Sequence, residues 1–251
     1  MSKAEQFGWA VAKMEAELNW DVLGQTYCHE GGESFFAEEQ REAIRETGLL
    51  LAADLQDAVR RLPGGTLGRS LWVGAALAEL IPILAEHLVL GRHVHWHNIE
   101  CGETRELNRA LQAVEEQTGL DLPRVETHPA PSENGYDLLW MVSVLTDPDA
   151  FPALHDELYG RRGTELSAGP GDLGHERELA QSWTRSLLQQ VSSPGVLVTS
   201  DEEAGFFLGA AQAASRRLVV PEQGRLSGIV GDVVRFCRVQ NLDSDVQAAS
   251  T

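Results

Sequence analysis

Residues 67–80 read Leu67-Gly-Arg-Ser-Leu-Trp-Val-Gly-Ala-Ala-Leu-Ala-Glu-Leu80. The apolar run Leu71-Trp72-Val73 stops at Gly74, and apolar residues then recur at Leu77, Leu80, Ile81, Leu84 and Leu88. The first pattern suits a strand buried on both faces. The second is the spacing of one helix face, which predicts a helix over 77–90. A strand that ends in small residues and opens into a helix brings free backbone N–H groups to one spot at the carboxyl edge of a sheet. In open α/β sheets ligands bind at that edge.

The same alternation continues downstream. After Gly91 a strand is predicted over His93–Asn98 and a helix over 102–117, with Leu107, Leu111 and Val114 on its buried side. A short strand follows at 124–127, then a Pro/Ser/Asn/Gly turn at 129–135 and an apolar strand, Tyr136–Val142. Thr146-Asp-Pro-Asp149 opens a helix to Tyr159, and the glycine-rich stretch 160–171 reads as the most flexible loop. A long helix over 173–191 precedes a fifth strand, Val196–Ser200. Asp201-Glu202-Glu203 then places acids in the first turn of a helix that ends near 216–217, where they suit its positive end. Strands at 218–220 and 229–239 close the pattern. Only Pro221–Leu226 separates them, too short for a crossover, so one of the two must run antiparallel. The expected fold is α/β: a doubly wound, mostly parallel seven-stranded sheet with a terminal antiparallel hairpin.

Upstream, residues 1–62 read as helical. Phe7, Val11, Met14, Leu18 and Val22 fall near helical spacing, and Gly31-Gly32 interrupts the pattern. Ser34 is the expected N-cap of a second helix to Leu62, with Ile44, Leu51, Leu55 and Val59 buried and Pro63-Gly64-Gly65 at its end. The chain therefore divides into an N-terminal helical cap (1–65), an α/β domain (66–240) and a polar tail (241–251). Trp9, Trp20, Tyr27, Phe35 and Phe36 serve either the core or a cap over a ligand.

The 251 residues carry 38 acids against 20 Lys and Arg, a net charge of −18. A nucleic-acid backbone or an anionic membrane needs a positive footprint, so neither partner is expected. Cys28, Cys101 and Cys237 are scattered, odd in number and form no Cys-x-x-Cys, which points to a reducing compartment rather than a disulfide framework or zinc knuckle. The start, Met1-Ser-Lys-Ala-Glu-Gln, lacks the layout of a signal peptide. The most apolar window, 71–90, contains Glu79, Glu86 and His87 and is no membrane span. The expectation is a cytoplasmic protein.

Leu71-Trp-Val-Gly-Ala-Ala-Leu-Ala-Glu79 resembles the first motif of the class I S-adenosylmethionine-dependent methyltransferases, a strand followed by G-x-G-x-G. Trp96-His97-Asn98-Ile99 resembles the end of that family's second strand, where an acid usually meets the ribose hydroxyls. Tyr136-Asp137-Leu-Leu-Trp-Met141 and Gly195-Val-Leu-Val-Thr-Ser200 resemble its fourth- and fifth-strand motifs. The resemblance, over 69–239, implies a Rossmann-like fold with S-adenosylmethionine as cofactor. It implies Gly74, Ala75, Ala76 and Glu79 at the first turn, Asn98 and Ile99 at the ribose, and Trp140, Met141 and Val142 near the reacting end. Ser143, Thr146 and Asp147 fall at the substrate rim, although Asp147 also suits a simple helix cap.

The sequence departs from the family in two places that matter. Ala76 stands where the second glycine is expected, and its methyl group narrows the ligand's approach. Asn98 replaces the acid, so the ribose loses a charged acceptor, with Glu100 two residues on. Thr127-His128 follows the third strand. The Asp/Asn-Pro-Pro-Tyr motif that similar enzymes use on nucleic-acid bases is absent; with the acidic charge, this points to a small-molecule methyl acceptor. Methyl transfer needs placement and dryness more than a dedicated side chain, so no catalytic residue is named. The alternative, favoured by Ala76 and Asn98, is a catalytically inactive relative that binds a protein or senses a metabolite. His93, His95 and His97 share one face of a strand by period two, a metal-ligand spacing. A doubly wound sheet covers both faces with helices, so no metal is assigned. There is neither a G-x-S-x-G elbow nor a Walker sequence.

Overall fold

Ser2 and Glu5 form a capping box that opens α1 (Lys3–Glu17), Ser2 Oγ accepting from the Glu5 N–H and the Glu5 carboxylate from the Ser2 N–H. α2 (Trp20–Tyr27) and α3 (Glu38–Arg60) follow. The structure, a computed structural model, describes residues 1–27, 35–63, 65–127, 135–165 and 167–242. The chain forms two compact units, Met1–Pro131 with Ser227–Gly231, and Ser132–Leu226 with Asp232–Thr251.

In the first unit α3 buries Ile44, Leu51, Leu55 and Val59, the face its spacing predicts. Its N-cap is Ala37, without a side-chain cap, and the expected cap Ser34 lies outside the described residues. β1 (Arg69–Val73) is buried from Ser70 onward, with Trp72 wholly enclosed. The helix expected over 77–90 is instead a composite: a 3-10 turn (Leu77–Glu79), α4 (Leu80–Leu84) and a π-helical stretch (Ala85–Leu90). Pro82 explains its start, since a proline has no N–H to give a helical carbonyl four residues back and is tolerated only in a first turn. Gly91, at φ +69°, closes the segment. Glu86, on the π stretch, is fully buried. It accepts from Trp72 Nε1 (2.7 Å) and pairs with buried Arg92 at 2.6 Å, while Arg92 also donates to the Gly65 carbonyl. β2 (His93–His97) runs parallel to β1 with Trp96 beside Trp72. α5 (Gly102–Thr118) buries Leu107, Leu111 and Val114 as predicted, and β3 (Val125–Glu126) pairs parallel with β2.

The second unit contains β4 (Tyr136–Met141), α6 (Pro152–Leu158), α7 (Leu173–Gln190), β5 (Val191–Ser200), α8 (Asp201–Ala213), β6 (Arg216–Val219), β7 (Arg225–Leu226) and β8 (Val233–Asn241). β5 begins at Val191 rather than Val196, directly off α7, and its pairing with β4 shifts register between Tyr136 and Leu138. α6 starts at Pro152 rather than Thr146, because Pro at the first helical position is preorganised for a start there. β6 begins at Arg216, and β8 begins at Val233 rather than Ile229. β8 pairs antiparallel with both β5 and β6, so the short terminal connection has the consequence expected of it. The strand order is β3-β2-β1 in the first unit and β4-β5-β8-β6 in the second, with β7 on β8. Among the described residues no helix is long and apolar enough to cross a membrane.

Candidate functional site

Gly74 ends β1 at φ +68°, a left-handed conformation that glycine adopts without a Cβ penalty. Its N–H donates to the His97 carbonyl (2.9 Å), which ties the turn to the end of β2. Asn98 then braces the turn from β2's carboxyl end. Its Nδ2 donates to the Ala75 carbonyl (2.9 Å) and the Gly74 carbonyl (3.3 Å), and its Oδ1 accepts from the Ile99 N–H (2.7 Å). Trp96 Nε1 donates to the same Ala75 carbonyl at 2.7 Å. The asparagine that the resemblance sets at the ribose thus points its amide at the backbone. Ile99 beside it is 67% exposed.

The N–H groups of the turn also have partners within their own unit. Ala76 N–H donates to Glu79 (3.0 Å), and Leu77 N–H donates to Glu103 Oε1 (3.0 Å). The Tyr27 hydroxyl of α2 donates to the same Glu103 oxygen at 2.7 Å. Burial pushes the Glu103 carboxyl above the usual carboxylate range, and burial together with the Glu103 charge pushes the Tyr27 hydroxyl well up. A cavity of about 30 Å³, lined in part by Met14, Trp20, Ile44 and Leu77, lies where the N-terminal helices meet α4. That is one water's share of liquid volume.

The histidine strand is uneven. His93 is exposed and its ring lies 4.5 Å from that of His95, whose Nε2 faces Arg69 at 3.2 Å. His97 is buried, with Nε2 3.6 Å from Glu126. No group of three or more His, Cys, Asp or Glu among the described residues is placed to hold a metal.

In the second unit Trp140 and Met141 are wholly buried and Val142 nearly so; Trp140 packs edge-on against Phe236. Ser143, the next residue, sits at φ +58°, rare for a non-glycine residue. Glu203 of α8 holds it there. Its carboxylate accepts three successive N–H groups, from Ser143 (3.0 Å), Val144 (2.6 Å) and Leu145 (2.6 Å), a nest of donors closed on an internal anion. Burial nevertheless raises the Glu203 carboxyl to about 7. Ser143 Oγ donates to Asp232 (2.7 Å), and Tyr159 donates to the same carboxylate at 2.7 Å. Asp147 Oδ1 accepts from the Asp149 and Ala150 N–H groups, a local turn rather than the N-cap of α6, which is Phe151. The Thr146 carbonyl accepts from His155 Nδ1 (2.6 Å), so His155 Nε2 is left to accept from Arg161, whose guanidinium lies over the Tyr159 ring.

Glu103, Glu203, Tyr159 and Asp232 carry these turns, though the sequence marked Glu203 only as a first-turn acid and none of the four as a site residue. For the two glutamates a signal existed, as acids in the first turns of α5 and α8. For Tyr159 and Asp232, far apart in sequence, there was none.

No protein-family model and no curated protein matches the sequence. Among solved structures, the chain is similar to PH0851 (TM-score 0.46, 14% identity, 76% of this chain and 45% of that one). It is similar to the precorrin-6y C5,15-methyltransferase of Geobacter metallireducens (0.43, 9%, 76% and 88%). It is also similar to a SAM-dependent O-methyltransferase of Thermotoga maritima (0.42, 11%, 76% and 64%). The chain thus spans less than two thirds of the first and third of these proteins. These scores are too low to speak to activity; the strand order, with its antiparallel β8 between β5 and β6, speaks to fold. The chain has a Rossmann-like α/β fold, with antiparallel β8 between β5 and β6.

Proposed function

We propose that the chain is an S-adenosylmethionine-dependent methyltransferase acting on a small molecule in the cytoplasm, with residues 1–65 as its cap. The observation that carries this reading is the β1 turn. Gly74 closes a parallel strand in the left-handed region, and the Gly74 and Ala75 carbonyls accept from the nitrogen of Asn98. Carbonyls placed to take one nitrogen donor suit the ammonium group of an amino-acid ligand equally well. The cofactor would supply an electrophilic sulfonium methyl. In this reading the carbonyls of Gly74 and Ala75 hold its amino group, Ala76 and Glu79 line the turn, and Asn98 and Ile99 meet the ribose side. Trp140, Met141 and Val142 form the dry wall near the reacting end, and Ser143, Thr146 and Asp147 orient the acceptor. No nucleic acid or membrane partner belongs to this reading, given the chain's charge of −18.

One set of contacts favours a second reading, an inactive scaffold that binds a protein or senses a metabolite. The turn's donors and acceptors are already filled by Glu79, Glu103 and Asn98, so a ligand must displace side chains to enter. Titration calorimetry with S-adenosylmethionine and S-adenosylhomocysteine, on the wild type and on Asn98→Asp, decides between them. The enzyme reading expects saturable binding, tighter in Asn98→Asp, which removes the amide donor from both carbonyls, leaving Trp96 alone on that of Ala75, and offers the ribose a charged acceptor. Silence in both proteins up to about 1 mM ligand would establish the scaffold.

A further inference from the structure

Between α7 and α8 of the second unit lies a groove of about 470 Å³, within the range of small-molecule sites. On α7, Arg177, Gln181 and Arg185 recur every fourth residue and so stand in one row. On α8, Gly205 and Gly209 line the groove with Phe206 and Glu202.

Three observations set this groove apart from an ordinary crease between helices. Nothing lies within 4 Å of a Cβ built on Gly205 or Gly209. A glycine inside a helix is destabilising relative to alanine, so helix packing gives no reason for them. Their effect is to keep the groove clear. Next, Arg185 has no partner among the described residues, in a chain with 18 more acids than bases. Arg177 makes one long contact, 3.4 Å to Glu157. Last, Glu202 lines the same groove, so a carboxylate and two guanidinium groups border one ligand space.

We propose that this groove binds a free amino acid with an apolar side chain. Its carboxylate meets the row formed by Arg177 and Arg185, its ammonium pairs with the Glu202 carboxylate, and its side chain lies over Gly205, Gly209 and Phe206. A simple organic anion satisfies the arginines but leaves Glu202 unmet. A simple cation does the reverse. Only a zwitterion answers both, and the site is independent of the function proposed for the β1 turn.

The test uses the whole chain and the twenty common amino acids, each at about 10 mM, by saturation-transfer NMR, followed by calorimetry on those that bind. Leucine, methionine or phenylalanine is expected to saturate at about 1 mM or below. N-acetyl-leucine and leucinamide, each lacking one of the two charges, are expected to bind about tenfold more weakly. Arg185→Ala removes an exposed side chain, and Gly209→Leu fills open space with a good helix former, so both variants should fold. Each should bind leucine at least about tenfold more weakly, with an unchanged circular dichroism spectrum. The proposal is overturned if no apolar amino acid saturates, if N-acetyl-leucine binds as well as leucine, or if Arg185→Ala binds like the wild type.

Discussion

Glu203 is the residue on which the β4 turn depends, and its chemistry makes a pH prediction. Its carboxylate accepts from Ser143, Val144 and Leu145, yet burial is the larger effect and raises its ionisation from 4.5 to about 7. A carboxyl group with a raised pKa binds its proton more tightly when folded than when unfolded. Its contribution to stability is therefore complete below about pH 4.5 and lost as the pH rises through about 7. The raised ionisation corresponds to about 3 kcal/mol at most. In Glu203→Gln nothing titrates, so this decline disappears. Urea unfolding at pH 5 and pH 8 checks it: the wild type should lose up to about 3 kcal/mol more than the variant between the two values. Equal losses would show that the three N–H groups hold the carboxylate ionised throughout. Asn98 marks what sequence can reveal at this level. Its position at the end of β2 was legible from the strand pattern. Its orientation was not, because whether an amide faces a ligand or the Gly74 and Ala75 carbonyls depends on a turn built from another strand.

The helices were legible wherever apolar spacing met no exception. α3 and α5 bury the residues their periodicity assigns. The segment after β1 failed that reading because one proline outweighs five well-spaced apolar residues: Pro82 confines α4 to a short element behind a 3-10 turn. The early start of β5 was hidden for a related reason, since Pro194-Gly195 reads as a turn in sequence yet lies within the strand. Packing between α3 and α4 supplies a test. A Cβ at Gly48 of α3 would fall 2.9 Å from the Ile81 Cβ of α4, a branch point that cannot swing away. Gly48→Ala therefore sets a helix gain of up to about 1 kcal/mol against overpacking of about 1–3 kcal/mol, and the net effect is destabilising. Gly8→Ala on α1 meets nothing within 4 Å and keeps the helix gain alone. Urea midpoints should move in opposite directions for the two variants. A rise in both would mean that α3 and α4 separate at little cost.

Across the whole molecule, the excess of acids over bases decides more than any single ion pair. With 38 acidic and 20 basic residues, 18 acids lack a basic partner even if every Lys and Arg is paired. Pairs such as Arg60–Asp57 and Arg105–Glu100 are well exposed, at 3.5 and 3.6 Å, and such pairs contribute little. The buried Glu86–Arg92 pair is shielded from salt by its enclosure. What salt can reach is the mutual repulsion of unpaired surface carboxylates, which favours expansion of the chain. Raising NaCl from about 10 mM to about 150 mM shortens the screening distance from about 30 Å to about 8 Å, below the spacing of many surface charges. Repulsion then weakens more than the exposed pairs do, because unpaired acids interact over longer distances than ion partners in contact. The thermal midpoint at pH 7.5 should therefore rise by several degrees over that range and level off above it. A midpoint that falls with added salt would show that the exposed pairs, not the excess charge, govern stability.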